Sequence, residues 1–159
     1  MPKRISRAFF CCILLLTVSL IWAGCSQEEI KKSENASRIR TLFDALDASK
    51  KNYELKNSAE LFDQFGSRFP DAEQVKKEIR EVYSRYTSIS LRLYVDHVVL
   101  DKENSSMFVR WEGEWKQNDD ERFKSSGTSI FNYSTELTPH LVGIQGTDPF
   151  TAPVRERRS

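Results

Sequence analysis

The chain has 159 residues, with 24 basic against 23 acidic side chains and three cysteines. That length holds one ordinary domain with its own apolar core. The near balance of charge excludes broad electrostatic binding to nucleic acid.

The first 25 residues carry the strongest signal. Lys3, Arg4 and Arg7 give a basic start, and an apolar run of 17 residues follows from Ala8 to Gly24. The small residues Ala23 and Gly24 then precede Cys25. This is an export leader. It is short for a membrane-crossing helix, which needs about 20 apolar residues. The tripeptide Ala23-Gly24-Cys25 resembles the lipobox of bacterial lipoproteins, although Trp22 stands where that motif usually has Leu. The resemblance implies cleavage before Cys25, acylation of its thiol (palmitate among the acyl groups) and attachment to a membrane on the extracytoplasmic side of a bacterial cell envelope. An uncleaved anchor and plain secretion are the alternatives. Ser26 after the cysteine is consistent with an outer-membrane destination, on its periplasmic face.

Cysteine usage agrees with this reading. Cys11 and Cys12 lie inside the apolar run, and Cys25 would carry lipid. The mature chain of 135 residues then has no thiol for a disulfide, a nucleophile or a metal site, so its stability must come from packing. Loss of Lys3, Arg4 and Arg7 leaves 21 basic against 23 acidic residues, a net charge of −2. Such a charge gives no grip on anionic lipid, so the acyl chains must do the anchoring, at about 0.8 kcal/mol per buried methylene.

Residues 25–36 read as a polar tether that turns helical near its end. From about Ser37 the apolar period becomes helical: Ile39, Leu42, Phe43, Leu46 and Tyr53 form one stripe. Asn57-Ser58 marks a break, with Ser58 the expected N-cap of a short second helix carrying Leu61, Phe62 and Phe65 and ending at Gly66. Asp71 and Gln74 have capping-box spacing for a third helix, whose apolar face is Val75, Ile79, Val82, Tyr83 and Tyr86.

At Thr87 the period changes to two. In the first strand Ile89, Leu91, Leu93, Val95, His97 and Val99 form the expected core face, and Asp96, Val98 and Leu100 the outer one. Asp101 to Ser106 is a turn. Met107, Val109, Trp111, Gly113 and Trp115 form the inner face of the second strand, and residues 117–121 turn again. The third strand spans about 122–133. Its small residues Ser125, Gly127 and Ser129 leave room for the neighbouring tryptophans. A last strand covers 141–145. Order is expected to end near Phe150, with 151–159 a flexible tail.

Helices followed by an antiparallel meander make an α+β layout. The features are the amphipathic first helix, Leu61-Phe62, the helix end Tyr83-Ser-Arg-Tyr86, the strand Trp111-Glu-Gly-Glu-Trp115 and the exit from Leu141 to Phe150. Together these make residues 37–150 resemble the nuclear transport factor 2-like superfamily, which includes the SnoaL-like proteins. The resemblance implies a cone in which three N-terminal helices pack on a curved antiparallel β-sheet, with a pocket at the open end. Members include enzymes, binding proteins and interaction modules, so fold alone does not choose among these.

The pocket candidates are Tyr83, Tyr86, His97, Trp111 and Trp115. His97 is the only titratable base on an expected core face. Isomerase or dehydratase chemistry needs such a base with a group that holds the developing oxyanion. The ordinary reading of His97 is a hydrogen-bonded core histidine, and that of the tryptophans is core packing. His140 reads as a solvated loop residue, and Asn118-Asp119-Asp120-Glu121 as a hairpin turn without calcium-loop spacing. No catalytic residue, metal or cofactor is indicated. The reading is a non-catalytic module that binds a small apolar ligand, an envelope component or a protein partner. A small lyase or isomerase using His97 is the first alternative, and a homodimeric structural subunit the second.

Overall fold

The computed structural model describes residues 32–118 and 121–155. The leader, Cys25, the first residues of the tether, and Asp119 and Asp120 lie outside the described residues. The chain divides between Arg38 and Ile39 into two units. The second unit contains every strand and the helical residues from Ile39 onward.

Helix α1 occupies residues 32–54. Its buried positions are Leu42, Leu46, Ser49 and Tyr53, a stripe at helical spacing, while Phe43 stays 39 % exposed on its edge. After Lys56, in the left-handed region at φ 57°, comes the short α2 (Ser58–Asp63), buried through Leu61. Asn57, not Ser58, holds the capping position there, and no side chain caps it. Helix α3 (Ala72–Arg85) buries Val75, Glu78, Ile79 and Val82. The expected capping box does not form. Asp71 precedes the helix at φ 50° without a side-chain bond, and Gln74 donates instead to Glu78 Oε1 at 2.9 Å.

Strands β1 (Ser88–Leu100), β2 (Asn104–Lys116), β3 (Arg122–Ser134) and β4 (Leu141–Gly146) form one antiparallel sheet in chain order. The β1–β2 register pairs Leu93 with Trp111 and Val95 with Val109, then His97 with Phe108. Asp96 is therefore an extra residue, a β-bulge, and the alternation of faces reverses beyond it. This corrects the face assignment for the end of β1. His97 and Val99 are exposed on the outer face, whereas Val98 and Leu100 pack against the core. Strict alternation cannot anticipate the reversal, because one inserted residue flips every later position of the strand.

The inner face of β2 is as its alternation predicts: Met107, Val109, Trp111 and Trp115 are all buried. Two glycines, Gly113 between the tryptophans on β2 and Gly127 across from Trp111 on β3, have a steric role. A Cβ on Gly113 would lie 2.1 Å from the Trp115 ring, and one on Gly127 would lie 3.0 Å from the Trp111 ring. The neighbouring loop is tied to β4 by Gly66 N–H to Leu141 O and Leu141 N–H to Gln64 O, both 2.8 Å.

Order continues past Phe150. Thr151 is buried and leads into α4 (Ala152–Arg155), with Ala152, Pro153 and Val154 buried. The expectation of a flexible tail from residue 151 is thus corrected for 151–155. Its arginine-rich end suggested a solvated tail, but the apolar residues Ala152, Pro153 and Val154 dock first.

Candidate functional site

The five pocket candidates do not share one space. Trp111, Trp115 and Tyr86 are at most 2 % exposed, Tyr83 is half-buried, and His97 stands on the opposite side of the sheet.

Within the core, the two indoles meet edge to face at 6.5 Å between ring centroids. Their N–H groups need acceptors, since a buried unpaired donor costs about 1–3 kcal/mol. Trp111 Nε1 donates to the Thr147 carbonyl at 3.0 Å, and Trp115 Nε1 to Tyr53 Oη at 2.9 Å. Tyr53 Oη in turn donates to the Phe150 carbonyl at 2.9 Å. The Phe150 ring lies 5.0 Å from Tyr53 and 6.0 Å from Phe131. Tyr83 sits beside this group, 5.6 Å from the Tyr53 ring, and its buried hydroxyl has no hydrogen-bond partner. Burial raises the pKa of both Tyr53 and Tyr83, so both remain neutral donors at physiological pH.

Two buried carboxylates escaped the sequence reading. Asp148 accepts the Phe150 N–H at 2.8 Å and the Thr151 hydroxyl at 3.1 Å. Burial raises its pKa, against the lowering pull of those bonds and of Arg155. Glu78 accepts Arg155 Nε at 2.9 Å while also holding Gln74. Both were legible in part. Position 78 falls on the same helical face as Val75, Ile79 and Val82, and Asp148-Pro-Phe-Thr151 has the composition of a turn closed by its own side chain. Glu78 ties the end of the C-terminal segment to α3, and Asp148 closes that segment's own turn.

Two depressions on the outer sheet face are formed by the described residues. One, of about 430 Å³, is lined by Asp96, His97, Phe108, Thr128, Ile130 and Gln145, among others. The bulge brings Asp96 and His97 to this face together. The His97 ring stacks on Phe108 at 3.9 Å, and Arg110 grips the Asp96 carboxylate with Nε and Nη2 at 2.8–3.0 Å. That guanidinium holds Asp96 below the usual carboxylate range. Tyr94 and Val99, 42 % and 47 % exposed, extend the apolar surface. The second depression, about 420 Å³, is charged: Arg92 and Lys124 alternate with Glu112 and Glu114. Lys124, Arg122 and Lys116 surround Glu114 at 3.3–3.9 Å and lower its pKa, Lys124 most.

A smaller polar cleft of about 240 Å³ lies between Asp63–Arg68 and the β3–β4 loop, where His140 Nε2 is 3.9 Å from Glu136. Among the described residues no group of three metal-ligating side chains is close enough to hold an ion, and no helix is long and apolar enough to cross a membrane.

Of the expected site residues, only His97 lines one of these depressions; the aromatic four belong to the packed interior. The inner wall offers indole and phenol donors. The outer groove offers an apolar floor with a neutralised carboxylate and an imidazole at its rim.

No protein-family model matches the chain, and no curated protein matches it. Solved structures do. Bd1075 of Bdellovibrio bacteriovorus superposes with a TM-score of 0.62 at 12 % identity, over 73 % of this chain and 43 % of that one. This chain thus spans less than half the length of that structure. A nuclear transport factor 2-like superfamily protein of Salmonella enterica serovar Typhimurium gives 0.59 at 8 % identity, over 72 % and 93 % of the two chains. A candidate scytalone dehydratase of Novosphingobium aromaticivorans gives 0.61 at 9 % identity, over 74 % and 89 %. At these identities the likeness shows the fold: an α+β domain of the nuclear transport factor 2-like kind with a four-stranded antiparallel sheet.

Proposed function

We propose that the chain is a lipoprotein, anchored through Cys25 on the extracytoplasmic side of a bacterial membrane, whose nuclear transport factor 2-like domain is a non-catalytic interaction module. The observation that carries this reading is the direction of His97. The only base on an expected core face is turned outward by the bulge at Asp96, onto the Phe108 ring, while indoles, phenols and Phe150 fill the space where a reacting molecule would sit. General-base chemistry needs a base and an oxyanion donor converging on one point. Here the donors are inside and the base outside. The likeness to a candidate dehydratase does not oppose this, because one fold hosts both enzymes and binding modules.

The surface assigned to interaction is the outer groove with its flanking Tyr94 and Val99, and the partner is a protein. An apolar floor beside an Arg110–Asp96 pair suits a protein contact, in which a buried aromatic centre is bordered by polar groups. A photo-crosslinking residue placed at Phe108 in the membrane-bound protein tests this, with Lys77 on the far side as control. A discrete protein adduct from position 108 alone is expected. Equal labelling from both positions, no adduct at all, or a turnover that disappears with His97→Gln overturns the reading.

A further inference from the structure

The two edges of the sheet are finished differently. At β4 the chain bridges its own edge, through Gly66 N–H to Leu141 O and Leu141 N–H to Gln64 O. At β1, Glu54 Oε1 takes the Leu91 N–H at 2.6 Å. Beyond that point, no hydrogen bond among the described residues reaches the outer edge of the strand from Leu93 to Leu100. This stretch contains no Lys or Pro, residues that blunt an edge against pairing. Its inner side chains Leu93, Val95, Val98 and Leu100 are half-buried, whereas Ile89 and Leu91 before them are buried. Backbone partners and apolar cover therefore run out at the same place.

The direction of the free groups follows from two bonds. In an antiparallel ladder the N–H and C=O of one residue point to the same side, and the side alternates along the strand. Leu91 N–H turns away from β2 to Glu54, so Leu93 and Val95 turn away too. Asp101 N–H turns toward β2, to Asn104 O at 3.2 Å, so Val98 and Leu100 turn away. The bulge at Asp96 lies between these two sets and reconciles them. The four outward residues stand opposite every second residue of β2 from Trp111 to Ser105. The free groups are thus evenly spaced and symmetric about the bulge.

That symmetry makes the edge complementary to itself. We propose that a second copy of this chain adds antiparallel to β1, Arg92–Asp101 against Arg92–Asp101, about a two-fold axis through the Asp96 bulge. Leu93 then meets Leu100 of the second copy, and Val95 meets Val98. Each such pair exchanges both backbone bonds, so about eight bonds form. On the outer face Tyr94 meets Val99, the exposed apolar side chains of this strand, and aromatic and β-branched neighbours pair well across strands. At each end Arg92 meets the opposite charge of Asp101. At the axis Asp96 is already neutralised by its own Arg110, so the copies bring no bare like charges together. The pairing ends where the edge is occupied, at the Leu91 N–H held by Glu54. The axis stands perpendicular to the sheet, so both outer grooves face the same side and adjoin. The contact is edge to edge, leaves the outer sheet face open, and does not depend on the reading of the groove.

Disulfide trapping in full-length chains, in the membrane fraction of a bacterial host, tests this. Across a wide antiparallel pair the Cα atoms lie about 4.5 Å apart, within disulfide reach. Positions 94 and 99 of one strand lie about 13 Å apart, out of reach. Tyr94→Cys with Val99→Cys in one chain is therefore expected to give a covalent dimer on oxidation, and either substitution alone no more than the wild type. Arg92→Asp added to that chain sets like charges opposite at both ends and is expected to cut the dimer yield about tenfold. Adding Asp101→Arg as well makes the charges opposite again and is expected to restore the yield, which damage confined to one chain would not allow. A doubly substituted chain that stays monomeric overturns the proposal, even if Phe108→Cys on the sheet face then crosslinks. So does a yield matched by the single substitutions, an Arg92→Asp chain that crosslinks as well as its parent, or a loss that Asp101→Arg leaves uncorrected.

Discussion

Trp115 Nε1 donates to Tyr53 Oη at 2.9 Å, joining β2 to α1 across 62 residues of sequence. Tyr53 passes the bond on to Phe150. One phenol therefore pins a strand, a helix and the C-terminal segment. Tyr53→Phe keeps the ring but leaves the Trp115 N–H and the Phe150 carbonyl unpaired. The expected cost is about 1–3 kcal/mol for each orphaned buried group, read as a lower urea midpoint with an unchanged slope. A loss too small to measure would mean that water replaces the hydroxyl.

Trp111→Ala and Gly113→Ala test the inner wall from opposite directions. Trp111 is 1 % exposed, so its truncation is expected to cost about 3–5 kcal/mol through lost burial and a cavity. Gly113→Ala places a methyl 2.1 Å from the Trp115 ring, a clash with a rigid indole already held by Trp111, Phe123 and Tyr53. It is expected to destabilise by about 1–3 kcal/mol or more as overpacking. Thermal unfolding of both variants decides, and a neutral Gly113→Ala would show that Trp115 can move aside.

The inner wall could be read in the sequence because its determinants are local. The alternation Met107-x-Val109-x-Trp111-x-Gly113-x-Trp115 is unbroken, and Gly127 of β3 sits in register across from the Trp111 ring. His97 could not be placed, because its orientation depends on a bulge that no neighbouring residue type announces. The C-terminal segment was missed for a different reason. Ala152, Pro153 and Val154 give no helical or strand period, and only the tertiary contacts of Phe150 and Arg155 reveal that they are buried. Glu78 lies between these cases: its position on the buried face of α3 follows from spacing, but its partner, 77 residues on, does not.

His97→Gln tests the corrected face. The imidazole is exposed and touches Phe108 from the solvent side. Surface substitutions away from caps and networks stay within about 0.5 kcal/mol, so the stability of the domain is expected to be nearly unchanged. A loss of several kcal/mol in chemical denaturation would return His97 to the core and restore the unbulged register.

Asp148 gives the domain a pH dependence of unusual sign. Burial is the largest cause of its raised pKa, so the folded state holds its proton more tightly than the unfolded chain does. Between the unfolded and folded pKa values the folded state binds more protons, and stability falls as pH rises through that interval. Above the folded pKa the buried charge remains a full cost. Asp96 and Glu114 act oppositely: bonds to Arg110 and Lys124 lower their pKa, so their contribution is lost as pH falls. Asp148→Asn keeps an acceptor for the Phe150 N–H and removes the charge. It is expected to raise the urea midpoint at neutral pH and to lose that advantage in acid. A midpoint difference that is constant with pH would show that Asp148 is not the group responsible.

The anchoring reading rests on Cys25, and it can be tested apart from everything in the folded domain. If the thiol is acylated and the leader is cut before it, then Cys25→Ser removes both the nucleophile for acylation and the recognition residue for that cleavage. The variant is expected to lose label from radioactive palmitate and to keep a larger apparent mass than the mature wild type. The wild-type protein from the membrane fraction should begin at a modified Cys25 and carry enough methylenes, at about 0.8 kcal/mol each, to resist extraction by salt. Salt resistance separates this from charge-driven attachment, because the mature chain, with 21 basic and 23 acidic residues, has no net attraction to an anionic surface. Intact mass decides among the alternatives. A wild-type chain that retains Met1 is held by its uncleaved apolar run, and one that begins near Cys25 with a free thiol is secreted without lipid. Either result would end the lipoprotein reading and leave the assignment of the fold untouched.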